Sequence, residues 1–115
     1  MIYLFGIPNC DTVKKARTFL EAHSIAFEFV DFKKSPPSIQ SIELWQKAFG
    51  GLPVNKKGLT YKKHSQVFEA LTESQQIAFI SQNSSMIKRP ILQKDQTVLC
   101  FGFDESEFIK KLGLK

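Results

Sequence analysis

The thiol of Cys10 is the side chain in this sequence best placed to do chemistry. It follows a short apolar run at residues 2–5 and precedes a segment whose apolar residues recur at helical spacing. A strand, a tight turn and a helix in that order would place the sulfur at a helix N-terminus, where unpaired N–H groups and the helix dipole favour an anion. Such surroundings lower the pKa of a cysteine, so we predict a reactive thiolate. The alternative is a cysteine that merely fills the turn.

The sequence alone does not decide what the polar residues near this thiol do. Lys14 lies one helical turn further on, so its ammonium either approaches the sulfur or belongs to an ordinary solvated face. Asn9 and Thr12 either hydrogen-bond near the thiol or shape the turn and cap the helix. Asp11 suits the helix N-terminus, but its charge would oppose a thiolate if it lay close to the sulfur.

The other residues capable of chemistry indicate no second reactive site. Cys100 lies in a nearly continuous apolar run, which favours a buried core thiol over a resolving one. His23 and His64 have no cysteine or carboxylate at ligand spacing, so we expect no metal site. The sequence also has no glycine-rich phosphate loop, no Ser-His-Asp arrangement and no dinucleotide fingerprint.

The first third of the chain predicts a βαβ unit that would position the thiol. Residues 2–5 are typical of a buried strand, and residues 11–22 place Val13, Ala16, Phe19 and Leu20 on one helical face. Residues 27–32 alternate aromatic and polar side chains, as a strand with one buried face does. Two strands joined by a helix are expected to be parallel, with a right-handed crossover.

The middle of the chain predicts helices only. Ser38 is a plausible N-cap for a helix that ends at Gly50 and Gly51, and Thr72 is a plausible N-cap for a later one. In the first of these helices we expect four apolar residues on one side: Ile39, Ile42, Trp45 and Phe49. The predicted segments are, in order, a helix from about 38, a loop at 52–59, a lead-in at 60–63, and helices at 65–71 and 73–82.

The C-terminal third returns to β-structure. Residues 91–93 and 97–101 predict an antiparallel hairpin, and Asp104 and Gly113 bound a final helix. We therefore predict an α/β protein with a mixed sheet, formed by an N-terminal βαβ unit, a helical insertion at about residues 38–85, and a C-terminal hairpin and helix. At 115 residues, one domain at 1–115 is expected.

Composition narrows the class of protein. The sequence is 43% hydrophobic and has eleven phenylalanines, which fits a packed globule, and no apolar run approaches a membrane span. Two cysteines far apart do not form a disulfide framework, so we expect a reducing, cytoplasmic compartment. Nothing in the sequence specifies an oligomer, so we expect a monomer. The formal charge of +5 is spread over small groups without interleaved aromatics. This favours a small anion or an acidic protein partner over nucleic acid or membrane.

Three motifs then resemble one family. Residues 6–17 (GIPNCDTVKKAR) are similar to the opening motif of the arsenate reductase-related ArsC/Spx family, in its YffB-like branch. Residues 54–63 (VNKKGLTYKK) are similar to the central segment of that branch, and residues 87–92 (IKRPIL) to its Ile-Lys-Arg-Pro signature. The resemblance extends over about residues 2–112, with Gly102 and Phe103 where the family closes its last strand. Three motifs in the right order are more specific than one cysteine.

The resemblance implies a thioredoxin-like fold in which Cys10 attacks a sulfur or oxyanion substrate. Glutathione or a glutaredoxin would supply electrons, with glutathione as a co-substrate and no tightly bound cofactor. Pro90 would be a cis proline beside the cysteine, and Arg89 would be a spatial neighbour of the sulfur. Cys10 is then the candidate nucleophile, and the candidate substrate- or thiol-binding residues are Asn9, Asp11, Thr12, Lys14, Asn55, Lys57, Arg89 and Pro90.

Departures from the family pattern narrow the expected activity. Arsenate-reducing members have three arginines around the cysteine, whereas here only Arg89 matches, Lys57 holds the central position, and residues 101–103 contain no arginine. Lysine lacks the planar fork that grips an oxyanion. Val13 stands where a thioredoxin CxxC pair has its second cysteine, so Cys10 would work as a monothiol. We expect a glutathione-dependent thiol reductase; the alternatives are a non-catalytic Spx-type module, as in regulators that bind RNA polymerase, and a true arsenate reductase.

Overall fold

The computed structural model describes residues 1–114, which form four strands and five helices. The elements in chain order are β1 (Ile2–Gly6), α1 (Asp11–Ala22), β2 (Phe27–Asp31), α2 (Ile39–Phe49), α3 (Leu59–Glu69), α4 (Glu73–Gln82), β3 (Ile91–Lys94), β4 (Thr97–Phe101) and α5 (Glu105–Leu112). The chain divides into two compact units. The first, the sheet unit, contains Met1–Phe32 and the chain from Arg89 onward; the second, the helical unit, is Lys33–Lys88.

The sheet unit is built on one mixed sheet with the strand order β2-β1-β3-β4. β1 pairs with β2 in parallel, while the β1–β3 and β3–β4 pairs are antiparallel. Leu4 stands opposite Phe29 on one side and Leu92 on the other, which places it in the middle of the sheet. The predicted α/β class, with its parallel βαβ opening and its closing hairpin and helix, is confirmed.

The core of the sheet unit fixes the position of α1. The four residues predicted on one face of α1 are all buried. Among them Phe19 packs edge-on against Phe108 of α5, with ring centroids 5.6 Å apart. The core cluster comprises Leu4, Ala16, Phe19, Leu20, Leu92, Cys100 and Phe108. Because α1 is held along its whole apolar face, the residues at its N-terminus have a fixed place beside the sheet.

The end of β1 and the start of α1 approach closely at Gly6. A Cβ atom at this position would lie 2.7 Å from Cγ2 of Val13, closer than real Cβ contacts come. The Gly6 carbonyl also accepts a hydrogen bond of 2.8 Å from the N–H of Phe32. Glycine is therefore required here by the packing of the strand against the helix rather than by its backbone freedom.

In the helical unit, α2 has the boundaries that its capping residues predict. The Ser38 side chain accepts a hydrogen bond from the N–H of Ser41, and Gly50 ends the helix in the left-handed conformation. The apolar face is narrower than predicted. Ile42 and Trp45 are buried, but Ile39 and Phe49, at the two ends of α2, are 50% and 42% exposed.

The predicted start of α3 is wrong. The helix begins at Leu59, so the predicted lead-in at residues 60–63 belongs to its first turns. Gly58 is the N-cap and donates its N–H to the carbonyl of Asn55, so the turn before the helix supplies the start signal. Tyr61 and Phe68, seven positions apart, are the buried residues of this helix and pack edge-on at 5.8 Å. This two-turn spacing is helical, and it was missed because lysines surround Tyr61.

α4 follows the prediction closely and leads into the last connection. Thr72 and Gln75 form a reciprocal capping box at its N-terminus. A short 3-10 turn, Ser84–Met86, follows where a polar connection was expected. Val54, in the predicted loop, forms an isolated antiparallel bridge with Ile87. The helices of the predicted insertion thus fall within the helical unit, whereas the description of the chain as a single domain with an insertion stays a prediction.

We expect Gly6→Ala to destabilise the protein by about 1–3 kcal/mol, because the added methyl group forces Val13 or the strand to move in a packed region. Gly51→Ala is the matched control, since a Cβ there meets nothing within 4 Å. It should change the unfolding free energy by less than about 0.5 kcal/mol. Urea denaturation of the two variants measures both values, and equal stabilities would contradict the close contact.

Candidate active site

Cys10 is the N-cap residue of α1. Its backbone is extended (φ −97°, ψ 127°), and the helix begins at Asp11. The Cys10 carbonyl accepts a 2.9 Å hydrogen bond from the N–H of Lys14, which closes the first helical turn. The thiol is partly exposed rather than sealed in the core. The sulfur therefore stands at a helix N-terminus, where an anion is favoured.

The hydroxyl group of Thr12 contacts the sulfur of Cys10. Its Oγ1 lies 3.2 Å from Sγ of Cys10, and either atom can donate the hydrogen bond. A thiolate can only accept, so in that state the threonine hydroxyl is the donor. Of the two roles open to Thr12 from the sequence, the structure supports the contact with the thiol.

Strand pairing brings Arg89 to the same edge of the sheet. β1 and β3 are antiparallel, with Phe5 opposite Ile91, so the residues just before Ile91 lie beside the turn that follows β1. The Arg89–Pro90 peptide bond is cis, as the resemblance implies. The carbonyl of Pro90 accepts a 2.7 Å hydrogen bond from the N–H of Gly102. The pairing of β1 with β3 thus brings the Arg89 guanidinium within reach of the Cys10 sulfur.

The balance of these surroundings favours the thiolate. Burial raises the pKa of Cys10, but the Thr12 hydroxyl, the Val13 backbone N–H and the Arg89 guanidinium outweigh it and hold the pKa below its usual value. The Cys10 side chain makes no capping hydrogen bond of regular geometry, but the Val13 N–H is close enough to the sulfur to favour its charged form. Val13 is the third residue of the helix that Cys10 caps, so its amide is one of the unpaired N–H groups that the sequence predicts to favour an anion.

Cys100 has the opposite environment. Burial raises its pKa to about 11, with further contributions from the carboxylates of Glu107 and Asp104 and a partial offset from Lys111. Its side chain belongs to the core cluster of the sheet unit. The prediction of a core thiol agrees with this position, because a thiol with so high a pKa is almost entirely protonated at neutral pH.

The remaining candidate residues are placed as follows. Asn9 and Asp11 are exposed, in the turn and at the first helical position. Lys14 is also exposed, and it is not among the groups that shift the pKa of Cys10. In the helical unit, Oδ1 of Asn55 accepts a 3.3 Å hydrogen bond from the N–H of Lys57. The structure thus groups Cys10 with Thr12, Val13 and Arg89, and it pairs Asn55 with Lys57 locally.

The residues that the structure describes contain neither a cluster of metal-binding side chains nor a helix that could span a membrane. Within residues 1–114, no group of three or more His, Cys, Asp or Glu side chains is arranged to hold a metal ion. Over the same part of the chain, every helix is too short or too polar to cross a bilayer.

Comparison with known proteins finds relatives that match nearly the whole chain. The model of the ArsC family matches residues 5–110. An uncharacterized protein of Haemophilus influenzae is 34% identical over 94% of this chain and 96% of its own length. The global transcriptional regulator Spx 2 of Lactococcus lactis is 32% identical over 93% of this chain and 83% of its own length.

The fold agrees with this relationship. A solved structure of a YffB protein superposes with a TM-score of 0.85 and 31% identity, covering 97% of this chain and 99% of the other. A mixed sheet, a cysteine at the N-terminus of α1 and a cis proline before β3 are arranged here as in a thioredoxin-like fold. Because the family model spans nearly the whole chain and relatives above 30% identity cover it, the protein belongs to the ArsC family, within its Spx- and YffB-like members.

Proposed function

We propose that the protein is a glutathione-dependent thiol reductase with Cys10 as its single nucleophile, acting as a monomer in the cytoplasm. The observation that carries the proposal is the lowered pKa of Cys10, which comes from donors at a helix N-terminus and from the Arg89 guanidinium. A thiolate is the attacking species in thiol–disulfide exchange, so these groups raise the reactive fraction at neutral pH.

In the first step, the Cys10 thiolate attacks one sulfur of a substrate disulfide. A bond forms between the two sulfurs, the substrate S–S bond breaks, and the second substrate sulfur leaves as a thiolate. Arg89 offers a positive charge and the Thr12 hydroxyl a hydrogen bond to the sulfur. Both interactions are made with the anion that exists before attack and again after release.

In the second step, a glutathione thiolate attacks the mixed disulfide. Cys10 leaves as a thiolate, and glutathione carries away the substrate sulfur as a mixed disulfide. A second glutathione thiolate attacks the glutathione sulfur of that mixed disulfide, which releases the substrate thiolate and glutathione disulfide, so two glutathiones supply the two electrons that reduce the substrate. An external thiol is needed because Val13 occupies the place of a second active-site cysteine and Cys100 is buried. A glutaredoxin could supply the same thiol. Asn9, Asp11, Lys14, Asn55, Lys57 and Pro90 keep the binding roles that the family resemblance implies.

Arsenate reduction is the less favoured reaction. Only Arg89 supplies the forked cation that a tetrahedral oxyanion needs. Gly102 occupies the region of the expected third arginine, and its N–H is already bonded to the Pro90 carbonyl. We expect no arsenate-dependent oxidation of glutathione by the protein, and a clear rate in that assay would restore arsenate as the substrate.

A second candidate function is a protein-binding module of the Spx type. One observation favours it: α3 exposes two aliphatic side chains, Leu59 at 86% and Val67 at 60%, on a helix that also carries Lys62 and Lys63. The Lactococcus relative that covers this chain is itself a global transcriptional regulator. A stoichiometric partner recovered equally by the natural chain and by Cys10→Ser would favour this function over the reductase.

We predict that the pKa of Cys10 rises when either of two donors is removed. Thr12→Val deletes the hydroxyl and Arg89→Gln deletes the charge, and both lower the pKa in the natural chain. The rate of alkylation by iodoacetamide, followed against pH, reports the thiolate fraction. Its midpoint should lie below that of a free thiol, at roughly 8.5, and should move upward in both variants. Lys14→Gln should leave the midpoint unchanged, and a midpoint at the free-thiol value in the natural chain would contradict the site.

We predict that Cys10→Ser abolishes glutathione-dependent reduction of hydroxyethyl disulfide, because a serine hydroxyl cannot form the mixed disulfide. The assay couples formation of glutathione disulfide to NADPH consumption through glutathione reductase. Cys100→Ala is the matched control, since its thiol is buried with a pKa of about 11. It should retain most of the turnover. Full activity in Cys10→Ser would disprove the reductase mechanism.

A further inference from the structure

The helical unit contains a cleft whose lining does not include Cys10. Its volume is about 830 Å³, and every residue that lines it lies between Phe49 and Lys88. Ligand-binding clefts of proteins are typically about 300–1,000 Å³. The cleft is therefore large enough for a whole small molecule, and it is formed within a single compact unit.

The inner wall of the cleft is apolar. Val54, Tyr61 and Phe68 line it and are themselves buried, so their positions are fixed by the packing of the unit. The two rings pack edge-on against each other. The end of α2 also contributes Phe49, which is 42% exposed. An aromatic or aliphatic group placed here would bury its apolar surface against a preformed wall rather than against mobile side chains.

The charged residues that line the cleft are mostly cationic. Lys56, Lys57 and Lys88 line it, against one carboxylate, that of Glu69. The carboxylate is already engaged, since the Tyr61 hydroxyl donates a 2.7 Å hydrogen bond to its Oε2. This bond also raises the pKa of Tyr61, so the phenol stays neutral and adds no negative charge to the wall. The net charge of the lining favours an anion next to the apolar wall.

From this combination we infer that the cleft binds a small organic anion, one acidic group on an aryl or acyl body. The carboxylate, sulfonate or phosphate ester would lie against the lysines, and the body against Val54, Tyr61 and Phe68. Cys10 is not needed for this binding, because no residue outside 49–88 lines the cleft. Asn55 and Lys57, which line the cleft, also belong to the binding residues that the resemblance implies for the reductase. Cys10→Ser separates the two roles, because it removes the nucleophile and leaves the lining of the cleft intact, so sulfonate binding should persist in that variant.

Two matched fluorescent probes test the inference on the full chain. Anilinonaphthalene sulfonate carries an acidic group on an aryl body, and N-phenyl naphthylamine has the same body without the charge. The natural chain should bind the sulfonate saturably at one site. In Lys56→Gln/Lys88→Gln its affinity should fall by about three- to tenfold, as expected for two partly exposed cations. Affinity for the neutral probe should change by less than about twofold.

A control variant and a mapping measurement complete the test. Lys62→Gln/Lys63→Gln removes two exposed lysines of α3 that do not line the cleft, so it should leave sulfonate binding unchanged. In nitrogen-15 spectra of the natural chain, the sulfonate should shift the amide signals of Gly50, Gly51 and Asn55. The inference is overturned by absence of saturable binding, by equal losses in both lysine variants, or by shifts concentrated around Leu59 and Val67.

Discussion

The antiparallel pairing of β1 with β3 is the constraint on which the site at Cys10 depends. β1 ends at Gly6, directly before the turn that carries the cysteine, and the register sets Phe5 opposite Ile91. The segment that enters β3, with Arg89 and the cis Pro90, is thereby brought beside that turn. A shift in this register would separate the guanidinium from the sulfur even if every helix remained in place. The lowered pKa of Cys10 thus depends on the pairing of the strands as much as on the helix that Cys10 caps.

The electrostatics of the site result from partial burial. Complete burial would raise the pKa of a thiol, as the core environment of Cys100 does. Full exposure would leave Arg89 and the hydroxyl of Thr12 competing with water for the anion. Cys10 lies between these limits, with enough shielding to strengthen its donors and enough access for another sulfur to reach it. The position follows from the contact between Gly6 and Val13, which fixes where the helix starts relative to the strand.

Local signals predicted much of the fold. The limits of α1, the capping roles of Ser38 and Thr72, and the hairpin were readable because each depends on residues close together in the sequence. The start of α3 was not readable, since its two buried residues, Tyr61 and Phe68, are two helical turns apart and most of the residues between them are polar. In the same way, the contact of Thr12 with the sulfur required the turn geometry, which residue types alone leave open.

Longer-range features needed more than local patterns. Nothing in composition or spacing brings Arg89 to Cys10; the family resemblance implied it, and the pairing of β1 with β3 accounts for it. The apolar wall of the cleft also escaped prediction, because Val54, Tyr61 and Phe68 come from a loop and a helix whose boundaries had been misjudged. Side chains that meet only after chain segments pack cannot be assigned from periodicity.

The burial of Cys100 affects how the protein reacts with oxidants. The chain has two cysteines, and one of them is enclosed by the core cluster. A disulfide between Cys10 and Cys100 would require that core to open. Cys100 therefore cannot protect the accessible sulfur of Cys10 by forming a disulfide with it. A sulfenic acid formed there either meets a small thiol from solution or advances to irreversible sulfinic and sulfonic forms. A thiol supplied from solution is therefore the source of any disulfide that protects this sulfur from irreversible oxidation.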